Sequence, residues 1–402
     1  MHVYTQRTVR LLLLSKGVQV FATSVSVTFS GLAGSRLSSV ESLSTLPMTI
    51  MLTAMGVSIV AASAVFSNFG RRVGFAGGAI LGAMGGLICA WSTIQGSFPA
   101  LCIGCALLGA YQASAQYYRF AAADAVSLEA KGHAVSAVMA GGVLGAILGP
   151  FISIWAQSWL QPNIFAGPFL ALALVLALNA AALSILRDMP SLVGPSPNVD
   201  RSSHTSLLGN EQFVRAVCLG AAAHVAMLFV MTAAPLAIVA CGHAPGTAAV
   251  GIQWHLVAMF APALVTGSLH RRFGLSPLLY TGSLAFIGSI LCFAAGTSTA
   301  NFVVGLIFLG FAWNLIYFSG TMLLVNIIPK VHQMKAQTTN EFVAMSLGAI
   351  ASGLSGVVFF GTSWTILLAS ASGVIGLLTL TAGAVIRASR QCNQEPQTLV
   401  QT

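Results

Sequence analysis

Acidic side chains are scarce in this 402-residue chain, with eight Asp plus Glu against 17 Lys plus Arg and only 6% charged residues in all. The eight are Glu41, Asp124, Glu129, Asp188, Asp200, Glu211, Glu341 and Glu395, and each lies in a polar gap or at the end of an apolar run. A soluble domain carries roughly 25% charged residues, so a composition this poor in charge excludes an ordinary water-exposed fold. Catalytic patterns are missing as well. No H-E-x-x-H, no aspartate pair inside an apolar run and no recognisable Ser-His arrangement is present, which leaves an intramembrane enzyme without a catalytic constellation. The seven cysteines are scattered and suggest no disulfide framework. Cys102 and Cys105 form a C-x-x-C, but in a helix that spacing stacks two thiols on one face with no redox fold around them.

What the chain has is apolar length: 56% of residues are hydrophobic and the mean hydropathy is +0.88. About 20 apolar residues carry an α-helix across a hydrocarbon core of about 30 Å. Barrel strands would alternate polar and apolar residues, and these runs do not. Reading the runs in order predicts helices at 11–34, 44–66, 75–94, 98–119, 135–157, 166–186, 213–239, 250–269, 278–296, 301–325, 341–361 and 363–387. The expected fold class is an all-α polytopic membrane protein with twelve transmembrane helices. The first helix is expected to be retained, because its run contains Lys16 and lacks a small-residue cleavage site.

Cationic residues stay cytoplasmic during insertion. Placing the N-terminus inside puts Arg7, Arg10, Arg71, Arg72, Lys131, Arg187, Arg201, Arg215, Arg271, Arg272, Lys330, Lys335, Arg387 and Arg390 inside, and Arg36 alone outside. Both termini are therefore expected in the cytoplasm, and the net charge of +9 reflects topology rather than nucleic-acid binding.

The chain also repeats itself. A polar stretch from Arg187 to Gln212 with Pro190, Pro195 and Pro197 separates six helices from six, giving an N-terminal bundle over 1–186, a cytoplasmic linker over 187–212, a C-terminal bundle over 213–390 and a tail over 391–402. Phe69-Gly70-Arg71-Arg72 after helix 2 answers Arg271-Arg272-Phe273-Gly274 after helix 8, with Gly70 aligned to Gly274. Lys131 and Leu144-Gly145-Ala146 are answered by Lys335 and Leu347-Gly348-Ala349. Parallel repeats of this kind imply two bundles related by an axis along the membrane normal, with a pathway between them.

With its Gly-Arg-Arg turn, this six-plus-six layout resembles the major facilitator superfamily over nearly the whole chain. The family's loop pattern G-x-L-x-D-R-x-G-R-R is half kept. Ser63, Val65, Ser67 and Asn68 replace its first Gly, Leu, Asp and Arg, while Gly70, Arg71 and Arg72 match. In the second copy Gly267, Leu269, Arg272 and Gly274 match, and Arg271 stands where the acid would be. The resemblance implies a cytoplasmic gate at these turns. Asp124 and Glu341, at cytoplasmic helix ends, are expected to serve it with Arg71 and Arg72. Gly145, Gly149 and Pro150 in helix 5 are similar to the G-x-x-x-G-P core of proton-coupled drug antiporters; equally, glycines let helix backbones approach and a proline bends them.

By the same resemblance, helices 1, 4, 7 and 10 line a central cavity. Helix 1 carries Lys16, Gln19, Thr23, Ser26 and Ser30 at spacings of three and four, which aligns them on one face. Helix 4 carries Gln112, Gln116 and Arg119 beside Tyr111, Tyr117 and Tyr118; helix 7 carries His224 with Met227 and Met231; helix 10 carries Asn314, Tyr317 and Thr321. Each residue has a packing alternative, since Ser and Thr bond their own backbone and Lys16 and Arg119 lie near enough to a helix end to snorkel.

The expected function is alternating-access transport of a small organic solute, anionic or polar and partly aromatic, with tyrosines stacking on a flat ring. Proton-coupled drug efflux is the second reading, favoured by the helix 5 glycines and disfavoured by the lack of an acid deep in a span. A non-transporting sensor is the third. His224 and His255 are the titratable groups left inside spans, so a proton is the coupling ion to consider. No cofactor, metal or nucleic acid is expected. The partners are the solute and the lipid bilayer, around a monomer in the cytoplasmic (inner) membrane.

Overall fold

Apolar runs bounded by Pro, Ser and Gly become helices whose ends those residues set. The computed structural model describes residues 2–127, 130–186, 211–328 and 333–377, and among them only helices and turns occur. In chain order these are α1 (His2–Leu37), a 3-10 turn (Glu41–Leu43), α2 (Leu46–Gln95), α3 (Phe98–Ala115), α4 (Tyr118–Asp124), α5 (Lys131–Ala156) and α6 (Ala166–Ser184). The second half holds α7 (Glu211–Ala240), α8 (Pro245–Phe260), α9 (Ala263–Phe273), α10 (Leu275–Ala294), α11 (Thr299–Ile327), α12 (Gln333–Gly361) and α13 (Trp364–Leu377). Ser97 and Ser298 cap α3 and α11 by accepting from the backbone N–H of Ala100 and Asn301. Prolines occupy the first turns of α2, α3 and α8, where the missing N–H costs nothing. Of the expected linker, residues 187–210 lie outside the described residues, as do the tail and the end of the twelfth span.

The structure departs from the sequence expectation in three places. Helices 2 and 3 are joined in α2, whose 50 residues, about 75 Å at 1.5 Å each, are too long for one crossing. The break is Gly70, with φ 79 and ψ 167. Helix 4 is interrupted at Gln116 and Tyr117, which separate α3 from α4. Helix 8 is interrupted at Ala261 and Pro262, where a proline ring cannot continue the ladder. Ten helices among the described residues are long and apolar enough to span a membrane, one of them being the doubled Glu41–Gln95 segment, and α13 adds a shorter apolar helix.

The repeat expected from the loops is present in the backbone. Gly274, between α9 and α10, has φ 78 and ψ −172, nearly the conformation of Gly70. That corner of backbone space is open essentially to glycine alone. Packing repeats as well: α1 lies on α5 as α7 lies on α12, and α2 lies on α3 as α10 lies on α11. The halves meet through α2 with α12, α5 with α8, and α1 with α7 and α8.

Those meetings include contacts at the face that carries the α1–α2, α5–α6 and α7–α8 connections, opposite to the Gly70 and Gly274 turns. Thr45 donates to the Gly353 carbonyl at 3.4 Å, and Gln253 to the Ile147 carbonyl at 3.2 Å. Gly31 packs on Leu236, and Gly246 on Ile154. The molecule is held together at this far face.

Candidate functional site

In α1, Lys16 donates to the side chain of Gln19 at 2.7 Å, and Thr23 bonds the Gln19 backbone carbonyl at 3.1 Å. Gln112 of α3 then donates to the Thr23 hydroxyl at 2.9 Å. The amide-rich faces of helices 1 and 4 thus join into one hydrogen-bonded row. Lys16, Gln19 and Gln112 are buried, and Thr23 is half-buried. Ser26 and Ser30 are fully buried, and their hydroxyls lack a hydrogen-bond partner. Gln116 and Arg119 are half-buried beyond the row, and the buried Nε of Arg119 is unpartnered. The Arg119 guanidinium lies 4.8 Å from the Phe120 ring.

A buried polar cluster accompanies the row. Ser15 donates to Asn179 of α6 at 2.8 Å, and the phenols of Tyr111 and Tyr118 are fully buried beside it. Neither phenol has a hydrogen-bond partner. Tyr117 turns the other way and donates to the Ile59 carbonyl at 3.2 Å.

The second half answers with aromatics. Trp313 and Tyr317, one helical turn apart on α11, stack at 4.7 Å with planes 10° apart. His224 of α7 meets both edge-on, at 5.2 and 5.0 Å, and its Nδ1 accepts from the Trp313 indole N–H at 3.3 Å. Tyr317 also donates to the carboxylate of Glu341 on α12. Trp313, Tyr317 and Glu341 are half-buried, while His224 is buried. Phe260, at the end of α8, places its ring 5.6 Å from the Lys16 ammonium. A cationic, amide-lined wall therefore faces an aromatic wall that carries one carboxylate.

The remaining sequence candidates fall elsewhere. Asn314 is buried between helices, donating to the Met259 carbonyl and accepting from Thr266, both at 2.9 Å. Thr321 bonds the Tyr317 carbonyl of its own helix. Arg71 pairs with Asp124 at 2.5 Å and so ties the Gly70 turn to α4 within one half. Arg72 and Arg272 are exposed, and Arg272 covers the Phe273 ring at 5.2 Å. The structure brings Asp124 to Arg71, but takes Glu341 to Tyr317. Gly145, ahead of Gly149 and Pro150, faces Gly17 across the α1–α5 seam, and a Cβ there would collide with the Gly17 carbonyl. Gly149 lies against Phe21 in the same seam. His255 bonds the Leu306 carbonyl at 2.9 Å, between α8 and α11. Cys105 faces Cys89 of α2, at 4.0 Å, rather than Cys102.

Sequence reasoning passed over Trp313 and Phe260. Trp313 was signalled by its place four residues before Tyr317, the spacing that stacks side chains on one helix face. Phe260 had no local signal, because its neighbour Lys16 lies in the other half.

The profile of the Major Facilitator Superfamily matches residues 12–352. The riboflavin transporter RfnT of Brucella anthropi is 33% identical over 89% of this chain and 90% of its own length. The uncharacterized MFS-type transporter YdeG of Bacillus subtilis is 26% identical over 88% of this chain and 86% of its own. Among solved structures, the nucleoside transporter NupG superposes with a TM-score of 0.75 at 12% identity, covering 94% of this chain and 99% of that one. A D-xylose-proton symporter superposes at 0.71 with 17% identity, covering 94% and 96%.

Proposed function

Since this chain belongs to the Major Facilitator Superfamily and is a multi-pass membrane transporter, we propose that its solute is a flat, polar aromatic metabolite of the riboflavin class. The observation that carries this reading is the Trp313–Tyr317 stack, flanked by His224 and opposite a row of amides. A planar ring system gains from an aromatic face, and its polar rim needs donors and acceptors such as Gln19, Gln112 and Gln116. A relative named as a riboflavin transporter supports the same class.

Lys16, Gln19, Thr23, Ser26, Gln112, Gln116, Arg119, His224 and Tyr317 form the proposed binding wall, and Asn314 sets the position of α11 behind it. Lys16 and Arg119 favour solutes with acidic groups or electron-rich carbonyls. The Arg71–Asp124 pair stiffens the turn on the gate side, which we place in the cytoplasm together with both termini on the strength of the basic loops. The far-face contacts of Thr45 and Gln253 hold that side shut, so releasing them is the step that exchanges access. The glycines of α5 are accounted for by packing on α1 and give drug efflux no added support.

The test is counterflow in proteoliposomes of purified protein. Vesicles preloaded with unlabelled riboflavin should accumulate labelled riboflavin saturably, and a flat flavin lacking the ribityl chain should compete better than a sugar. Counterflow no greater than in protein-free vesicles, from protein that moves another solute, would reject the solute class while leaving the transporter assignment intact.

A further inference from the structure

The two glycine turns share a backbone but not their surroundings. Ahead of Gly70, Phe66 is wedged between Phe75 and Tyr117, with ring centroids at 4.9 Å from each. The residue in the same place ahead of Gly274 is His270, whose ring faces Phe318 at 5.9 Å. The second half has a cleft of about 230 Å³ between α9, α10 and α11. Its walls include Val265, Leu269, Phe273, Leu278, Thr281 and Phe311. Small-molecule pockets run to about 300–1,000 Å³ and hold convergent polar groups. This cleft is smaller and apolar, with Val265, Leu269 and Phe273 open to the outside, and an acyl chain suits it better than a polar solute.

One cation stands beside the cleft. His270, Arg271 and Arg272 form the last turn of α9. Arg271 spends one nitrogen on Ser268 at 2.9 Å, and Arg272 lies over the Phe273 ring beside the cleft. A cation at the membrane surface next to a groove between helices attracts an anionic headgroup.

We infer that the α9–α10–α11 cleft is a binding site for one anionic phospholipid, with an acyl chain in the cleft and the headgroup phosphate on Arg272. The site is separate from the proposed solute wall, and its occupant rests α9 against α10 where their mutual packing is thin.

The experiment uses purified, delipidated full-length protein. Thermal unfolding and native mass spectrometry are recorded with phosphatidylglycerol, with phosphatidylcholine of the same chains, and with inorganic phosphate. Phosphatidylglycerol is expected to raise the unfolding midpoint above the phosphatidylcholine value and to be retained in preference as a bound lipid. The excess should fall by at least half in Arg272→Gln. It should fall similarly in Thr281→Phe, which fills the cleft without touching charge. Equal effects of the two lipids, an excess that survives in both variants, or the same shift from inorganic phosphate would overturn the proposal. The wild-type lipid comparison stands even where a variant fails to fold.

Discussion

Tyr317 of α11 donates its phenolic proton to the carboxylate of Glu341 on α12 while its ring lies flat on Trp313. One side chain thus anchors an acid and forms half of an aromatic platform, and the two roles separate by substitution. Tyr317→Phe keeps the ring but strips the carboxylate of its donor, at a cost of about 1–3 kcal/mol. It should lower the unfolding midpoint while changing the half-saturation concentration for riboflavin little. Tyr317→Leu loses the ring as well, and should raise that concentration about two- to tenfold, the equivalent of a lost aromatic contact. Equal transport kinetics in the two variants would show that the ring has no part in binding.

Charge on the opposite wall is tested by solute choice. Lys16→Gln and Arg119→Gln each remove one cation near the amide row. Both should weaken uptake of a phosphorylated or carboxylated flavin by about tenfold, the order expected for a charge-assisted hydrogen bond, and weaken neutral riboflavin less. Parallel losses for the charged and neutral solutes would assign the two residues to packing.

The α1–α5 seam should be intolerant at one glycine and more forgiving at its partner. A Cβ on Gly145 would strike the Gly17 carbonyl, whereas a Cβ on Gly17 would stand 3.0 Å from the Gly141 carbonyl. Gly145→Ala should therefore destabilise more than Gly17→Ala, by about 1–3 kcal/mol of overpacking, read as the difference between their denaturation midpoints in one detergent.

Access is exchanged only if the far face opens. Thr45, immediately before α2, lies directly against Gly356 of α12, close enough that a Cβ on Gly356 would press on the Thr45 side chain. Oxidation of Thr45→Cys/Gly356→Cys should link the halves and stop transport, and a thiol reductant should restore it. Full transport by the cross-linked protein would mean that the halves need not part there.

Much of this was legible in the sequence, for identifiable reasons. Spans follow from apolar length, and the repeat from Gly70 and Gly274, because a conformation reserved for glycine leaves its mark in the sequence. The stripe of Lys16, Gln19 and Thr23 followed from helical spacing within one segment. Span continuity was less visible: a single left-handed glycine joins helices 2 and 3 in α2, where a loop was expected. Glu341 is expected at a helix end, and nothing local shows that α12 begins at Gln333 and carries it past Tyr317. Phe260 beside Lys16 and Gly17 against Gly145 depend on which helices neighbour one another, and chain order does not state that.

The central claim, a flat ring seated on the Trp313–Tyr317 platform, is tested most directly by titrating purified protein into riboflavin and following flavin fluorescence. Stacking should quench the emission saturably, and Trp313→Leu should weaken the binding by about fivefold or more, in line with about 1 kcal/mol for the lost stack. Saturable quenching of unchanged strength in Trp313→Leu, or no quenching by correctly folded wild-type protein, would contradict it.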